Sequence, residues 1–197
     1  MAFDAFLTFT GKGAGAEKIA GESTDPTYGA DKGAFEISEF SFGAETTLSI
    51  GSATSGAGAG KCTFKEFTVK KLVDKSSPLI LKTLGSGGHY KKCYLWIRKA
   101  GGASGQTGLA YLTFCFGMVA VKSIEWSGAS GDDTPTETVI FEYGALLVGY
   151  KQQGEDGGFT GSQAIAGWSR VENCAMPGGT KVNLADGDVD GSAKSAS

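Results

Sequence analysis

Apolar and polar residues alternate with a period of two along most of this chain, the repeat of extended backbone whose successive side chains point to opposite faces. Over residues 2–10, Phe3, Ala5, Leu7 and Phe9 alternate with Asp4, Phe6 and Thr8. Residues 35–50 carry Phe35, Ile37, Phe40, Phe42, Leu48 and Ile50. Their apolar parity switches between Ile37 and Phe40, which predicts a bulge or bend there. Further strands are expected over residues 61–73, 90–99, 109–126, 136–143 and 145–152, each bounded by Gly or Ser clusters. Residues 11–34 read as a long Gly-rich connection and residues 52–60 as a flexible loop. One helix interrupts the pattern. Asp74-Lys75-Ser76-Ser77-Pro78 offers Ser77 as N-cap and Pro78 as the first helical residue. Leu79, Ile80, Leu81 and Leu84 supply its buried side, and Gly85 ends it after about two turns.

The expected fold is therefore mostly β, an antiparallel β-barrel of two packed sheets with one short α-helix on its flank. Several strands are apolar on both faces: Tyr94 and Trp96 oppose Cys93, Leu95 and Ile97, and Tyr111 and Cys115 oppose Leu112, Phe114 and Phe116. A single core uses one face only, so the second is expected to meet the helix or another subunit. The segment Gly131 to Tyr143, G-D-D-T-P-T-E-T-V-I-F-E-Y, joins a polar turn to a strand with Val139, Phe141 and Tyr143 on one face and Thr136, Thr138, Ile140 and Glu142 on the other. Val139, Phe141 and Tyr143 are expected in the core.

Composition narrows the function. At 197 residues the chain fits one domain, and its 32 glycines against an ordinary apolar fraction of 41% suit turns better than a disordered tract. A net charge of -3 without a basic stripe argues against nucleic acid. Cys62, Cys93, Cys115 and Cys174 are widely spaced, and the single histidine cannot complete a zinc set with them. Four reduced, mostly buried thiols are expected. The opening M-A-F-D-A-F-L-T-F-T has no basic leader and carries Asp4, so it reads as a strand, not a signal peptide. No run approaches the roughly 20 apolar residues of a membrane span.

Four tempting chemistries weaken on inspection. S-G-A-G-A-G-K-C from Ser55 to Cys62 nearly spells a phosphate-binding loop, yet it starts with Ser, ends with Cys and leads into a strand where a helix is required. Asp186, Asp188, Asp190 and Gly191 begin like a calcium loop, but position twelve is Ser197, and a solvated acidic tail is the simpler reading. Asp132, Asp133 and Glu137 could face a cation, although turn capping and a ladder edge account for them. His89 and Ser86 lack the strand-turn-helix setting of a nucleophile. No catalytic, cofactor-binding or metal residue is assigned.

The motifs M-A-F-D-A-F-L, G-E-S-T-D (Gly21 to Asp25), F-S-F-G (Phe40 to Gly43), G-A-G-K (Gly58 to Lys61), D-K-S-S-P (Asp74 to Pro78), I-R-K-A-G-G (Ile97 to Gly102), G-D-D-T-P-T-E-T-V and the late Gly167-Trp168 occur in this order. Together they resemble the haemolysin-coregulated protein (Hcp) family, the tube subunit of bacterial type VI secretion systems, itself similar to phage tail-tube proteins. The resemblance spans residues 1–175 and leaves residues 176–197 as a flexible Gly/Asp/Ser-rich tail; residues 11–20 form a longer insert than the family pattern. It implies a hexameric ring that stacks into a hollow tube for effector delivery. Its partners would be further copies of itself, a spike protein, a contractile sheath and small effectors in the lumen, with neither nucleic acid nor membrane insertion. It also implies a start in the bacterial cytoplasm and secretion without a signal peptide. Within that frame Glu39, Ser41 and Gly43 are expected to face the channel, and Ser52, Thr54, Gly56, Gly58 and Gly60 to form the ring-stacking loop. Thr136, Thr138 and Ile140 are expected to meet a neighbouring subunit. The alternatives are a tube protein of a contractile phage tail or extracellular injection system, and a monomeric carbohydrate-binding β-sandwich.

Overall fold

The alternation yields nine strands and one helix in the computed structural model, which describes residues 3–29, 32–49, 58–99, 110–154, 158–178, 181–191 and 194–196. In chain order they are β1 (Phe3–Lys12), β2 (Phe35–Glu36), β3 (Glu39–Ser49), β4 (Gly58–Leu72), α1 (Ser77–Gly85), β5 (His89–Lys99), β6 (Leu112–Ser127), β7 (Thr136–Tyr150), β8 (Ala164–Ser169) and β9 (Cys174–Met176). The strands are laddered antiparallel in the order β2-β1-β5-β6-β7-β4-β3, with β8 on β7 and β9 on β8. The parity switch at 37–40 is the gap between β2 and β3. There the Ile37 N–H donates to the Ala5 carbonyl at 3.0 Å and the Ser38 N–H to the Lys70 carbonyl at 2.9 Å. One short stretch thus holds β1 on one side and β4 on the other, linking the two ends of the strand order.

Strand β7 departs from the expected pair of strands broken at Gly144. It runs unbroken for 15 residues, pairing β4 through Thr136–Phe141 and β8 through Ala145–Tyr150. A Cβ at Gly144 would stand 2.8 Å from Val171 Cγ2 and 3.2 Å from Met118 Cβ, so glycine here makes room across a continuous strand. Gly58 and Gly60, expected in a loop, begin β4, whose first residues pair with the end of β3 as Ser49 with Gly58. Helix α1 starts at Ser77, with Ser76 as its N-cap. Asp74 Oδ1 accepts from the Ser76 N–H and hydroxyl at 2.9 and 2.5 Å, holding the turn ahead of Pro78.

Two apolar clusters lie on opposite faces of the strands. The first gathers Leu7, Phe9, Phe67, Phe116, Val139, Phe141 and Tyr143 under Ile80 of α1. Phe67 and Phe116 stack at 4.2 Å. Val139, Phe141 and Tyr143 are each 1% exposed, as the alternation predicts. The second cluster gathers Phe6, Tyr94, Trp96, Cys115 and Leu147. Neither the helix nor a neighbour was needed to cover that face. The chain covers it with Tyr28, stacked on Phe6 at 4.9 Å, and with Met176, Val182, Leu184 and Val189 from its C-terminal part. Residues 181–191, expected in a flexible and solvated tail, are packed instead: the sheet buries their Val182, Leu184 and Val189, and Asp186–Val189 form a 3-10 turn with Asp188 only 8% exposed. All four cysteines are free thiols; Cys93 and Cys115 are buried, and Cys62 and Cys174 are half-buried rather than enclosed.

Candidate assembly surface

The face of β3, β4, β7 and β6 turned away from the first cluster is polar. The register builds it rung by rung: Glu39 opposite Lys70, Lys70 opposite Thr138, and Thr138 opposite Glu125. The next rung runs Ser41, Thr68, Ile140 and Ser123. Paired residues in an antiparallel ladder share a face, so Glu39, Ser41, Thr138 and Ile140 belong to one surface. The bulges between Ser41 and Gly43 on β3–β4 and between Val121 and Ser123 on β6–β7 let the ladder twist without breaking it. Gly43, opposite Lys65 beyond the bulge, continues the same side, and its carbonyl accepts from the Tyr143 hydroxyl at 3.3 Å. The residues expected in the channel and those expected at a subunit contact are therefore brought together. Ser52, Thr54 and Gly56 lie outside the described residues.

The charges on this face are largely answered within it. Lys122 pairs with Glu66 and, at 3.5 Å, with Glu142, which Arg170 also reaches at 2.9 Å. Lys70 lies 3.6 Å from Glu39, and Lys65 3.5 Å from Glu45. The hydrogen bond from Arg170 holds the Glu142 carboxyl below its ordinary range against the opposing effect of partial burial. A shallow depression of about 130 Å³ lies among Glu39, Phe40, Ser41, Thr68, Lys70 and Thr138. Such a surface is hydrophilic and charge-balanced, with no concentrated field of either sign.

At the rim of this sheet the quoted motifs lock together in pairs. Glu137, expected to serve a turn cap or a ladder edge, is fully buried, because its strand parity turns it to the core side. There it meets Lys71 at 2.8 Å and accepts from Trp126 Nε1 at 2.8 Å. Lys71 also reaches Asp74 at 3.0 Å, so D-K-S-S-P and T-P-T-E-T are joined by one ammonium. Asp132 stays in the turn, accepting from the Ala129 N–H at 2.8 Å, and does not join Glu137. Arg98 of I-R-K-A-G-G likewise reaches Asp4 at 2.9 Å and Asp25 of G-E-S-T-D at 2.6 Å, over the rings of Phe6 and Tyr28. Burial pushes the Asp25 carboxyl up, but Arg98 and the backbone N–H groups of Tyr28 and Thr27 outweigh it and hold it low. Ser86 spends its hydroxyl on the carbonyls of Gly15, Lys82 and Thr83, at 2.5, 2.9 and 3.1 Å. Lys71, Arg98, Lys122 and Arg170 had no separate signal in the sequence, since register alone reveals which carboxylate each cation meets.

Comparison with known proteins places this geometry. Residues 6–150 match the family described as "Type VI secretion system effector, Hcp". Protein hcp1 of Pseudomonas aeruginosa is 33% identical over 113 residues, 57% of this chain and 68% of that protein. A solved type six secretion system protein superposes with a TM-score of 0.76 at 28% identity, over 89% of this chain and 100% of the other. The crystal structure of Hcp1 from Salmonella typhimurium gives 0.67 at 25% identity, over 89% and 100%.

Proposed function

The chain belongs to the Hcp family of type VI secretion proteins, and on that premise we propose that it is a structural tube subunit whose β3-β4-β7-β6 face lines the channel. The polar, charge-balanced face carries this reading. A lumen through which folded cargo slides has to be wet and free of strong fixed charge, or the cargo would stick. The strand order supports ring closure. At one edge of the polar face β3 is laddered with β4 alone, and at its other edge Ser123–Ser127 of β6 is laddered with β7 alone, among the described residues. Two unlike edges on one protomer suit a head-to-tail contact that closes into a ring and leaves no edge exposed.

In this reading six copies close the ring, and the far end of the β3–β4 hairpin, where Gly58 and Gly60 stand, reaches the next ring in the stack. Thr136, Thr138 and Ile140 line the channel beside Ser41 and are not a subunit contact. Small effector proteins occupy the lumen, a spike caps the tube and a contractile sheath drives it. The protein is made in the bacterial cytoplasm and leaves with the machine; its work is mechanical, not catalytic. Among the described residues no helix is long and apolar enough to cross a membrane.

The test combines light-scattering mass with negative-stain imaging. A hexameric ring with a central hole is expected, and a monomer persisting at high concentration would overturn the reading. Ser41→Arg and Thr138→Arg should leave the ring intact and reduce co-purification of a small effector; undiminished loading in both removes the channel assignment.

A further inference from the structure

Residues 181–191 cross the second apolar face as an irregular segment with a single 3-10 turn, outside the strand ladder. The sheet is shaped to receive them. A Cβ at Gly117 of β6 would lie 2.4 Å from Val182 Cγ1, and one at Gly149 of β7 would lie 2.6 Å from Val189 Cβ and from its carbonyl oxygen. Neither glycine has a positive φ, so each is required by close approach and not by backbone conformation. The two missing side chains are seats for two valines. Between those seats Asp188 reaches down to the sheet. Its carboxylate accepts from Lys92 Nζ at 2.6 and 2.8 Å, from the Tyr94 hydroxyl at 2.8 Å and from the Ala185 N–H at 2.8 Å. One anion therefore ties the start of the turn to two residues of β5.

We propose that residues 181–191 form a clasp that opens as a unit while the sheet beneath stays folded, with Asp188 as its latch. The two apolar clusters are separate, and Val182, Leu184 and Val189 contribute only to the second. Lifting them leaves the Phe67–Phe116–Phe141 stack and α1 untouched. Segments held by a few side chains outside the backbone ladder open at lower free energy than the sheet they cover. Opening uncovers Tyr94 and Cys115, while Tyr28 remains packed against Trp96. The Cys115 thiol reports the event. Burial first, and then the nearby Asp188 charge, hold it protonated and unreactive while the clasp is shut, and both effects leave together. Cys93, equally buried, lies in the other cluster and serves as the internal reference.

The experiment is pulsed thiol labelling of the full chain with an alkylating reagent, read peptide by peptide in a mass spectrometer. Asp188→Ala should speed labelling of Cys115 at least tenfold and leave Cys93 unchanged. Gly149→Ala should do the same by unseating Val189, and Asp188→Asn, which keeps the shape and loses the charge, should fall between. Parallel acceleration of Cys93 and Cys115 would show that clasp and sheet unfold as one and would overturn the proposal. An unchanged Cys115 rate in both Asp188→Ala and Gly149→Ala would overturn it as well. The Cys115 rate is read against Cys93 of the same chain, so its failure and the failure of the tube reading are distinguishable.

Discussion

Lys71 and Glu137, 4% and 0% exposed, form an ion pair where water does not reach, and its worth lies in what happens when one partner goes. Removing one member of a buried pair strands the other charge, at a cost of about 3–5 kcal/mol. Glu137→Ala leaves Lys71 with Asp74 alone and should lower the unfolding free energy by up to that amount, read as a lower urea midpoint with no change in m. Lys71→Met with Glu137→Leu should recover part of the loss: the buried pair is gone, while Asp74 loses its ammonium and keeps only the Ser76 N–H and hydroxyl. Asp25 adds a pH dependence. Its folded carboxyl is held below its ordinary value, so the unfolded chain binds protons first as pH falls. The Asp25–Arg98 contribution is complete above the ordinary carboxylate range, about pH 4, and disappears as pH drops through the folded value. Denaturation midpoints of the native chain and Asp25→Asn should differ near pH 7 and converge toward pH 2.

At the level of elements, the period of two located β1 to β7 and left out the short β8 and β9, and D-K-S-S-P placed the helix within one residue. Two errors share a cause. Glycine reads in a sequence as punctuation, yet Gly144 and Gly58 lie within strands because a side chain or a paired strand passes close by, which only the tertiary fold reveals. The tail misled differently. Its Gly, Ser and Asp content suggested disorder, and the sparse Val182, Leu184 and Val189 that bury it are too few to give a period. Gly21 shows how a motif glycine acquires meaning: a Cβ there would fall 2.3 Å from the Ala34 carbonyl oxygen, while its N–H donates to Gly33 at 2.9 Å. Backbone cannot step aside as a side chain can. Gly21→Ala should lower the thermal midpoint by an amount equivalent to about 1–3 kcal/mol, and faster proteolysis within residues 21–29 should accompany it.

For the whole molecule, the candidate surface was half legible. Alternation put Glu39 and Ser41 on one side of β3 and Thr138 and Ile140 on one side of β7, but the ladder through β4 that makes these a single surface is a matter of register between distant strands. Lys122 tests that surface as a unit. Its pairs are exposed, so Lys122→Glu should change single-copy stability little. It would also gather Glu66, Glu142 and a third carboxylate on a face repeated in every copy of a ring. Light-scattering mass should show weaker rings at low salt and recovery when salt is raised, since the repulsion is screened.

The length of β4, β6 and β7, 15, 16 and 15 residues, has a mechanical consequence. Each spans about 50 Å of extended chain, and neighbouring strands are cross-tied by hydrogen bonds perpendicular to their axes. A force applied along those axes loads the ties in shear, all at once, whereas a force across them would part the ties one after another. A subunit built this way is stiff along its strands and weak at its edges. If it is to be driven at speed into another cell, its strands must run with the thrust, and its weak edges must be bound to its neighbours.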